Sequence, residues 1–198
     1  MRDADRRRLV EALALALAAH GDQTRKGTEI PYASHLLSVA GLVLEAGGDG
    51  DQAVAALLHD TLEDGADVDE PRLRAQFGSE VAAIVVACTD LLPGDTREHK
   101  SAWGERKQRY LAQLAHSGRR VRLVAACDKL HNLRTLISDL RAQGPASLAR
   151  FTASPEQMRW YYESAHALLR DALPVAIRLE FDALIEALRG FVARAESP

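Results

Sequence analysis

Apolar residues recur at helical spacing along this 198-residue chain from one end to the other, the pattern that lines up one face of an α-helix. Near the C-terminus Ile177, Phe181, Leu184, Ile185 and Leu188 form one such stripe. Strand signals are nearly absent, and aromatic residues make up only 5%. Helix faces of this kind are buried against other helices, so the pattern predicts an all-α fold. The chain is long enough to bury a core and shows no internal repeat, low-complexity tract or convincing linker. It is therefore expected to form one domain over residues 1–198, a bundle of about eight to ten helices.

Start and stop signals place the elements. The first helix runs from about Ala4 to His20, followed by the polar loop GDQTRKGTEIP. A second spans Tyr32 to Glu45 and ends at Gly47-Gly48-Asp49-Gly50. A third starts at Asp51 and is expected to continue through His59 and Asp60. A short helix at Glu70 to Phe77 carries Pro71 in its first turn. Ser79 is expected to cap an apolar helix reaching Thr89, and LPGDTREH reads as a loop. Helices follow at His99 to His116 and Arg119 to Ala142. Ser154-Pro155-Glu156 starts another, and Pro174 divides it from a last helix ending near Arg194.

Composition excludes several classes. Hydrophobic residues at 47% and charged residues at 27% describe an ordinary soluble protein rather than a disordered one. A net charge of -3 gives no general case for binding nucleic acid. Cys88 and Cys127 lack CxxC spacing and read as reduced thiols. The apolar run from Leu9 to Ala19 is too short to cross a membrane. It follows three arginines, as a signal peptide does, but Glu11 interrupts it and His20-Gly21-Asp22 replaces a small-residue cleavage site. A cytoplasmic protein is expected.

The chemistry concentrates in LLHDTLEDG, residues 57–65. His59 and Asp60 follow two leucines, and Glu63 and Asp64 come one turn later. His35 lies in an apolar helix after PYAS, and Asp128 lies within AACDKLHNLRTL. A lone carboxylate among such neighbours is costly. Two imidazoles and two carboxylates form an oxygen and nitrogen set that suits Mn, Fe or Zn. Spacing alone leaves two readings open, a metal site or core polar residues satisfied by one another. Glu63 and Asp64 are likewise either partners of such a site or a solvated helix end.

The ordered set H…HD…D resembles the HD superfamily of metal-dependent phosphohydrolases. AAHGDQTRKGTEIPYASH, AALLHDTLEDG, FGSEVAAIV and ACDKLHNLRTL together resemble the hydrolase domain of the RelA/SpoT family, which removes pyrophosphate from ppGpp and pppGpp. The likeness runs from about residue 12 to 140, with 141–198 completing the domain as C-terminal helices. Without room for synthetase, TGS and ACT domains, the chain looks like a stand-alone small alarmone hydrolase. The resemblance implies one Mn²⁺ held by His35, His59, Asp60 and Asp128, with Glu63 and Asp64 beside the attacking water. It places Arg25 against the guanine and Lys26 toward phosphate. Asn132 and Thr135 match positions that contact sugar and phosphates, and Lys129 and Arg134 join them on the same helix.

The implied reaction is (p)ppGpp 3′-pyrophosphohydrolysis giving GDP or GTP plus pyrophosphate. Two alternatives stand beside it: the same chemistry on NADPH (2′-phosphate) or (p)ppApp, and a non-catalytic alarmone-binding module. The expected partner is a small nucleotide, not nucleic acid or membrane, with a homo-oligomer left open. His20 matches a family histidine near the site but also reads as a helix-end polar residue, while His131 is expected to pack or face solvent. His99, His116 and His166 read as surface or interface residues, Arg119, Arg120 and Arg122 as a solvated helix start. Trp160-Tyr161-Tyr162 reads as core or subunit interface rather than a base-stacking platform. Leu36, Gly65 and Asp90 stand where the family commonly has proline, threonine and lysine, departures that bear on substrate preference.

Overall fold

The computed structural model describes residues 2–91, 94–96 and 99–195. Its α-helices are α1 (Asp3–His20), α2 (Ala33–Glu45), α3 (Gly50–Leu58), α4 (Thr61–Asp64) and α5 (Glu70–Phe77). They continue as α6 (Ser79–Cys88), α7 (Trp103–Ala115), α8 (Arg119–Gln143), α9 (Pro155–Leu169) and α10 (Val175–Ala195). Short 3₁₀ segments, Gly144–Arg150 and Arg170–Ala172, follow α8 and α9. There is no β-strand among the described residues; one isolated bridge pairs Thr24 with Pro31. No helix there is long and apolar enough to cross a membrane.

Helix α3 explains the arrangement. Residues Gln52 to Leu58 are all buried, and a helix apolar on every side belongs inside a bundle. It is enclosed by α1, α2, α6 and α8. Asp49 starts it, accepting from the Gln52 amide at 3.0 Å while the Gln52 side chain accepts from the Asp49 amide. Beside it runs α8, whose Leu123, Cys127, Leu130, Leu133, Ile137 and Leu140 recur at three and four residues and are buried. Packed apolar side chains extend without a break from Ala12 to Val192 as one core. The last helices therefore share the core with the first.

Several expectations change. Helix α3 does not continue to Glu63: it ends at Leu58, and a turn at His59 and Asp60 leads into the single-turn α4. Thr61 Oγ1 donates to the Leu58 carbonyl at 2.7 Å, satisfying a carbonyl freed by that break. Helix α7 starts at Trp103 rather than His99, which leaves Lys100 outside the helix. Gly78, at φ 91°, precedes α6, and Ser79 is its first residue rather than its cap. The loop expected over LPGDTREH falls partly on residues 92, 93, 97 and 98, which lie outside the described residues.

Candidate functional site

Three side chains, His35, His59 and Asp128, bring ligand atoms within 4.8 Å of one another, and Asp60 stands against the two imidazoles. His35 comes from the first turn of α2, His59 and Asp60 from the turn between α3 and α4, and Asp128 from the buried side of α8. His35 Nε2 lies 3.2 Å from His59 Nε2, 3.2 Å from Asp128 Oδ1 and 3.5 Å from Asp60 Oδ2. His59 Nε2 lies 3.1 Å from Asp60 Oδ2 and 3.5 Å from Asp128 Oδ1. Donors about 2.0–2.2 Å from one divalent ion stand roughly 3.0–3.5 Å from their neighbours around it. The separations among His35, His59 and Asp128 match that requirement.

Charge supports the fit. Asp60 and Asp128 together raise the His59 pKa well above its ordinary value although burial lowers it. Burial works to raise the Asp60 and Asp128 pKa values, yet the adjacent imidazoles, and Lys129 for Asp128, hold both carboxylates well below the usual range. One buried and one half-buried anion thus draw positive charge into the gap between the imidazoles. A divalent cation with nitrogen and oxygen ligands meets that demand.

Each of the four has a further partner, and Tyr32 and Asn132 bond the same carboxylate oxygens that face the imidazoles. His59 Nδ1 donates to the Ala56 carbonyl at 2.8 Å, which turns the Nε2 lone pair inward. Tyr32 donates its hydroxyl to Asp60 Oδ2 at 2.5 Å. Asn132 Nδ2 and Lys129 Nζ donate to the two Asp128 oxygens, each at 2.6 Å. His35 Nδ1 lies 2.8 Å from His131 Nδ1. His131 is buried, as the packing reading expected, and its Nδ1 faces the cluster. Burial, then His35 and Arg25, push its pKa down to about 4, so the ring is neutral. His20 is buried and stacks on Tyr32 at 4.8 Å, one contact further out.

Glu63 and Asp64 stand on α4 beside this cluster. Burial, then the charges of Asp90 and Asp60, push the Glu63 pKa from 4.5 up to about 7. The Asp90 amide donates to Glu63 Oε1 at 2.5 Å. Lys100 Nζ donates to Asp64 Oδ1 at 3.0 Å and lies 3.7 Å from Glu63 Oε2. These acids are not a solvated helix end. They are a pair tied to a lysine that lies 35 or more positions further along the chain.

A cavity of about 850 Å³ opens over the cluster. Its lining includes Tyr32, Lys129, His131 and Asn132, the residues that brace the cluster, together with Asp64. Arg25, Lys26 and Thr135 also line it, as expected from the sequence. Arg25 Nη2 donates to Asn132 Oδ1 at 2.6 Å and lies over the Tyr32 ring at 5.6 Å, while Lys26 Nζ is 5.6 Å from the Phe151 ring. Arg134 is not brought there. It turns to α10, where Nε and Nη2 donate to the Glu180 carboxylate at 2.7 and 2.8 Å.

The sequence reading missed part of the lining. Lys100, Arg106 and Lys107 reach it from the chain around the start of α7, and Phe151 reaches it after the 3₁₀ segment. Tyr161 belongs to the buried core and Tyr162 packs against it, as their core reading expected, and both also line the cavity from α9, while Trp160 stays exposed with its ring edge toward Trp103. Asp90 is buried and pairs with both Arg106 and Lys107, so the departure from lysine supplies their counter-charge. The other basic residues serve structure: Arg120 pairs with Asp49 and Asp51, and Arg122 donates to the last carbonyls of α7. His99 and His116 are exposed, and His166 pairs with Asp182 on α10.

Comparison with known proteins bears on this geometry. The family model described as "HD domain" matches residues 12–154. A probable guanosine-3′,5′-bis(diphosphate) 3′-pyrophosphohydrolase of Synechocystis is 37% identical over 131 residues, 65% of this chain and 16% of that protein. A Xenopus tropicalis protein named guanosine-3′,5′-bis(diphosphate) 3′-pyrophosphohydrolase is 39% identical over 131 residues, 65% of this chain and 69% of that one. A solved structure of a metazoan orthologue of SpoT, described as hydrolysing ppGpp, superposes with a TM-score of 0.70 at 28% identity, covering 93% of this chain and 96% of that one. The match thus spans a small part of the long bacterial relative and most of the short animal ones.

Proposed function

The chain belongs to the HD-domain family, and from that premise we propose that it is a metal-dependent (p)ppGpp 3′-pyrophosphohydrolase yielding GDP or GTP plus pyrophosphate. One observation carries the reading: a cluster of two histidines and two aspartates, with a near-neutral carboxyl beside it, lies behind Tyr32, Lys129, His131 and Asn132, which line a cation-rich cavity. The relatives named above are pyrophosphohydrolases of the same nucleotide.

His35, His59, Asp60 and Asp128 would hold one divalent ion, Mn²⁺ in this proposal, which supplies Lewis acidity toward a phosphoryl oxygen and lowers the pKa of water. Glu63 supplies the base. A carboxyl whose pKa lies near 7 can take a proton from water and release it again at neutral pH. As the water oxygen bonds to the phosphorus on the ribose 3′ oxygen, the bond between that phosphorus and O3′ breaks, and the 3′ oxygen leaves with GDP and takes a proton from solvent. Asp64, anchored by Lys100, keeps a second carboxylate at the same edge. Lys100, Arg106, Lys107 and Lys129 offer positive charge to the pyrophosphoryl group under attack. Arg25 presents its guanidinium plane to the base and Lys26 its ammonium to phosphate. Asn132 and Thr135 face the sugar and phosphates from α8. In this reading Arg134 is a strut to α10, and Tyr161 and Tyr162 make α9 part of one hydrolase domain over 1–198. A cytoplasmic setting suits the free, buried Cys88 and Cys127.

The test is product analysis on ppGpp, pppGpp, (p)ppApp and NADPH side by side with added Mn²⁺. The proposal expects pyrophosphate and GDP from ppGpp, with loss on chelation and in Glu63→Gln. Faster turnover of NADPH or (p)ppApp would move the substrate assignment, and tight binding without turnover would make the protein a sensor.

A further inference from the structure

The contact between His35 and His131 differs in kind from the other braces of the cluster. Behind His59 stands a carbonyl, which can only accept, so the proton on His59 Nδ1 is fixed. Behind His35 stands a second imidazole, and two Nδ1 atoms 2.8 Å apart share one proton that either ring can own. The rings are tilted 42° with centroids 4.9 Å apart, a contact through the nitrogens rather than a stack. His131 is only 8% exposed and lies three residues after Asp128. The helix that carries one member of the cluster thus also carries the group that steers another.

On the other side of the His35 ring, Nε2 faces His59 Nε2, Asp128 Oδ1 and Asp60 Oδ2. To give a lone pair to a cation there, His35 must carry its proton on Nδ1, and His131 must then accept it. Without a cation, the close approach of Asp128 Oδ1 to His35 Nε2 favours the reverse, with the His35 proton on Nε2 and His131 Nδ1 donating to His35 Nδ1. His131 accepts in the first arrangement and donates in the second, so the two rings exchange tautomers.

We infer that His131 is a positioning residue that accepts the His35 Nδ1 proton when a divalent ion is bound and donates in its absence, so that the two imidazoles change tautomer together on metal loading. The inference rests on the metal-centre reading and extends it to a residue outside the ligand set. It makes hydrogen-bond acceptance, not ring volume, the property that matters at position 131.

Mn²⁺ uptake by the purified, metal-stripped full chain, measured by titration calorimetry, separates the two properties. His131→Asn keeps an acceptor near the Nδ1 position, whereas His131→Leu keeps bulk and removes it. Outer partners of metal-binding histidines are worth ~10–100-fold in affinity, so His131→Leu is expected to weaken Mn²⁺ by about that factor and His131→Asn to stay near wild type. Equal affinity of His131→Leu and wild type, or equal loss in both variants, overturns the inference and leaves the metal centre standing. Wild type that takes up no divalent ion overturns both.

Should His131→Leu not fold by circular dichroism, ring-¹⁵N spectra of the wild type decide. With diamagnetic Zn²⁺ bound, His35 Nδ1 is expected to be proton-bearing and His131 Nδ1 proton-free, with the order exchanged after chelation. An unprotonated His35 Nδ1 in the loaded protein, or tautomers unchanged by chelation, overturns the coupling.

Discussion

Glu63→Gln is expected to stabilise the protein above neutral pH while removing the proposed base. Burial, Asp90 and Asp60 push the Glu63 pKa from 4.5 to about 7 in the folded state. A carboxyl with a raised folded pKa favours the fold when protonated. That contribution is complete below about 4.5 and is lost as pH rises through about 7. Between pH 5.5 and 7 the unfolded chain is ionised and the folded one mostly protonated, so wild type loses about 1.4 kcal/mol per pH unit. Over that window the loss comes to roughly 2 kcal/mol, with little further change above pH 8. Glutamine keeps an acceptor for the Asp90 amide and carries no titrating proton. The assay is urea unfolding of metal-free wild type and Glu63→Gln, with chelator present, at half-unit steps from pH 5.5 to 8.5. The stability difference should move in favour of the variant by about 2 kcal/mol across that range. Two curves that stay parallel within about 0.5 kcal/mol refute the reasoning, since they would mean that the folded environment does not hold a proton on Glu63.

Asp90→Asn should destabilise the fold by about 3 kcal/mol in urea, because it strands Arg106 and Lys107 beside a site only 4% exposed. Asp90 charge is the largest influence after burial raising the Glu63 pKa, so the acidic limb of kcat/KM should move to lower pH in the same variant. Arg134→Ala removes an ion pair whose partners are 42% and 41% exposed, and should cost less than about 1 kcal/mol of stability and leave kcat/KM within about twofold. Asn132→Ala, which removes a donor to Asp128 and a partner of Arg25, should lower kcat/KM at least about tenfold. Calorimetry should show a lower Tm after chelation, and returning Mn²⁺ at a hundredfold excess over its Kd should restore about 2.7 kcal/mol.

Much of the fold was legible because it obeys helical periodicity. The Ser154 start signal and the position of Pro71 are local signals, and both held, whereas the Asp49 cap of α3 was hidden in the glycine run read as the end of α2. The turn at His59 and Asp60 was not legible: both residues keep right-handed helical dihedrals at φ -59° and -97°, and no glycine or proline marks the break. Lys100 lies outside any helix, so no periodicity points it at Glu63 and Asp64. Tyr161 and Tyr162 read as core residues, which they are, but nothing in their sequence shows that they also meet a cavity. Arg134 is the opposite case. At ~100° per residue, Asn132 and Thr135 fall within about 40° of Asp128 around α8, while Arg134 falls about 120° away. Its turn toward Glu180 follows from that geometry, which membership of the motif obscured. His131 lies about 60° from Asp128 on the same helix, and the two-nitrogen contact with His35 needed the fold that brings α2 and α8 together.

The most direct measurement is hydrolysis of ppGpp in H₂¹⁸O with Mn²⁺ present, followed by mass spectrometry of both products. Attack of water on the phosphorus attached to the ribose 3′ oxygen predicts one ¹⁸O in the pyrophosphate and none in the GDP. Label in the GDP, or no pyrophosphate from wild type under conditions where Mn²⁺ binds, would contradict the account.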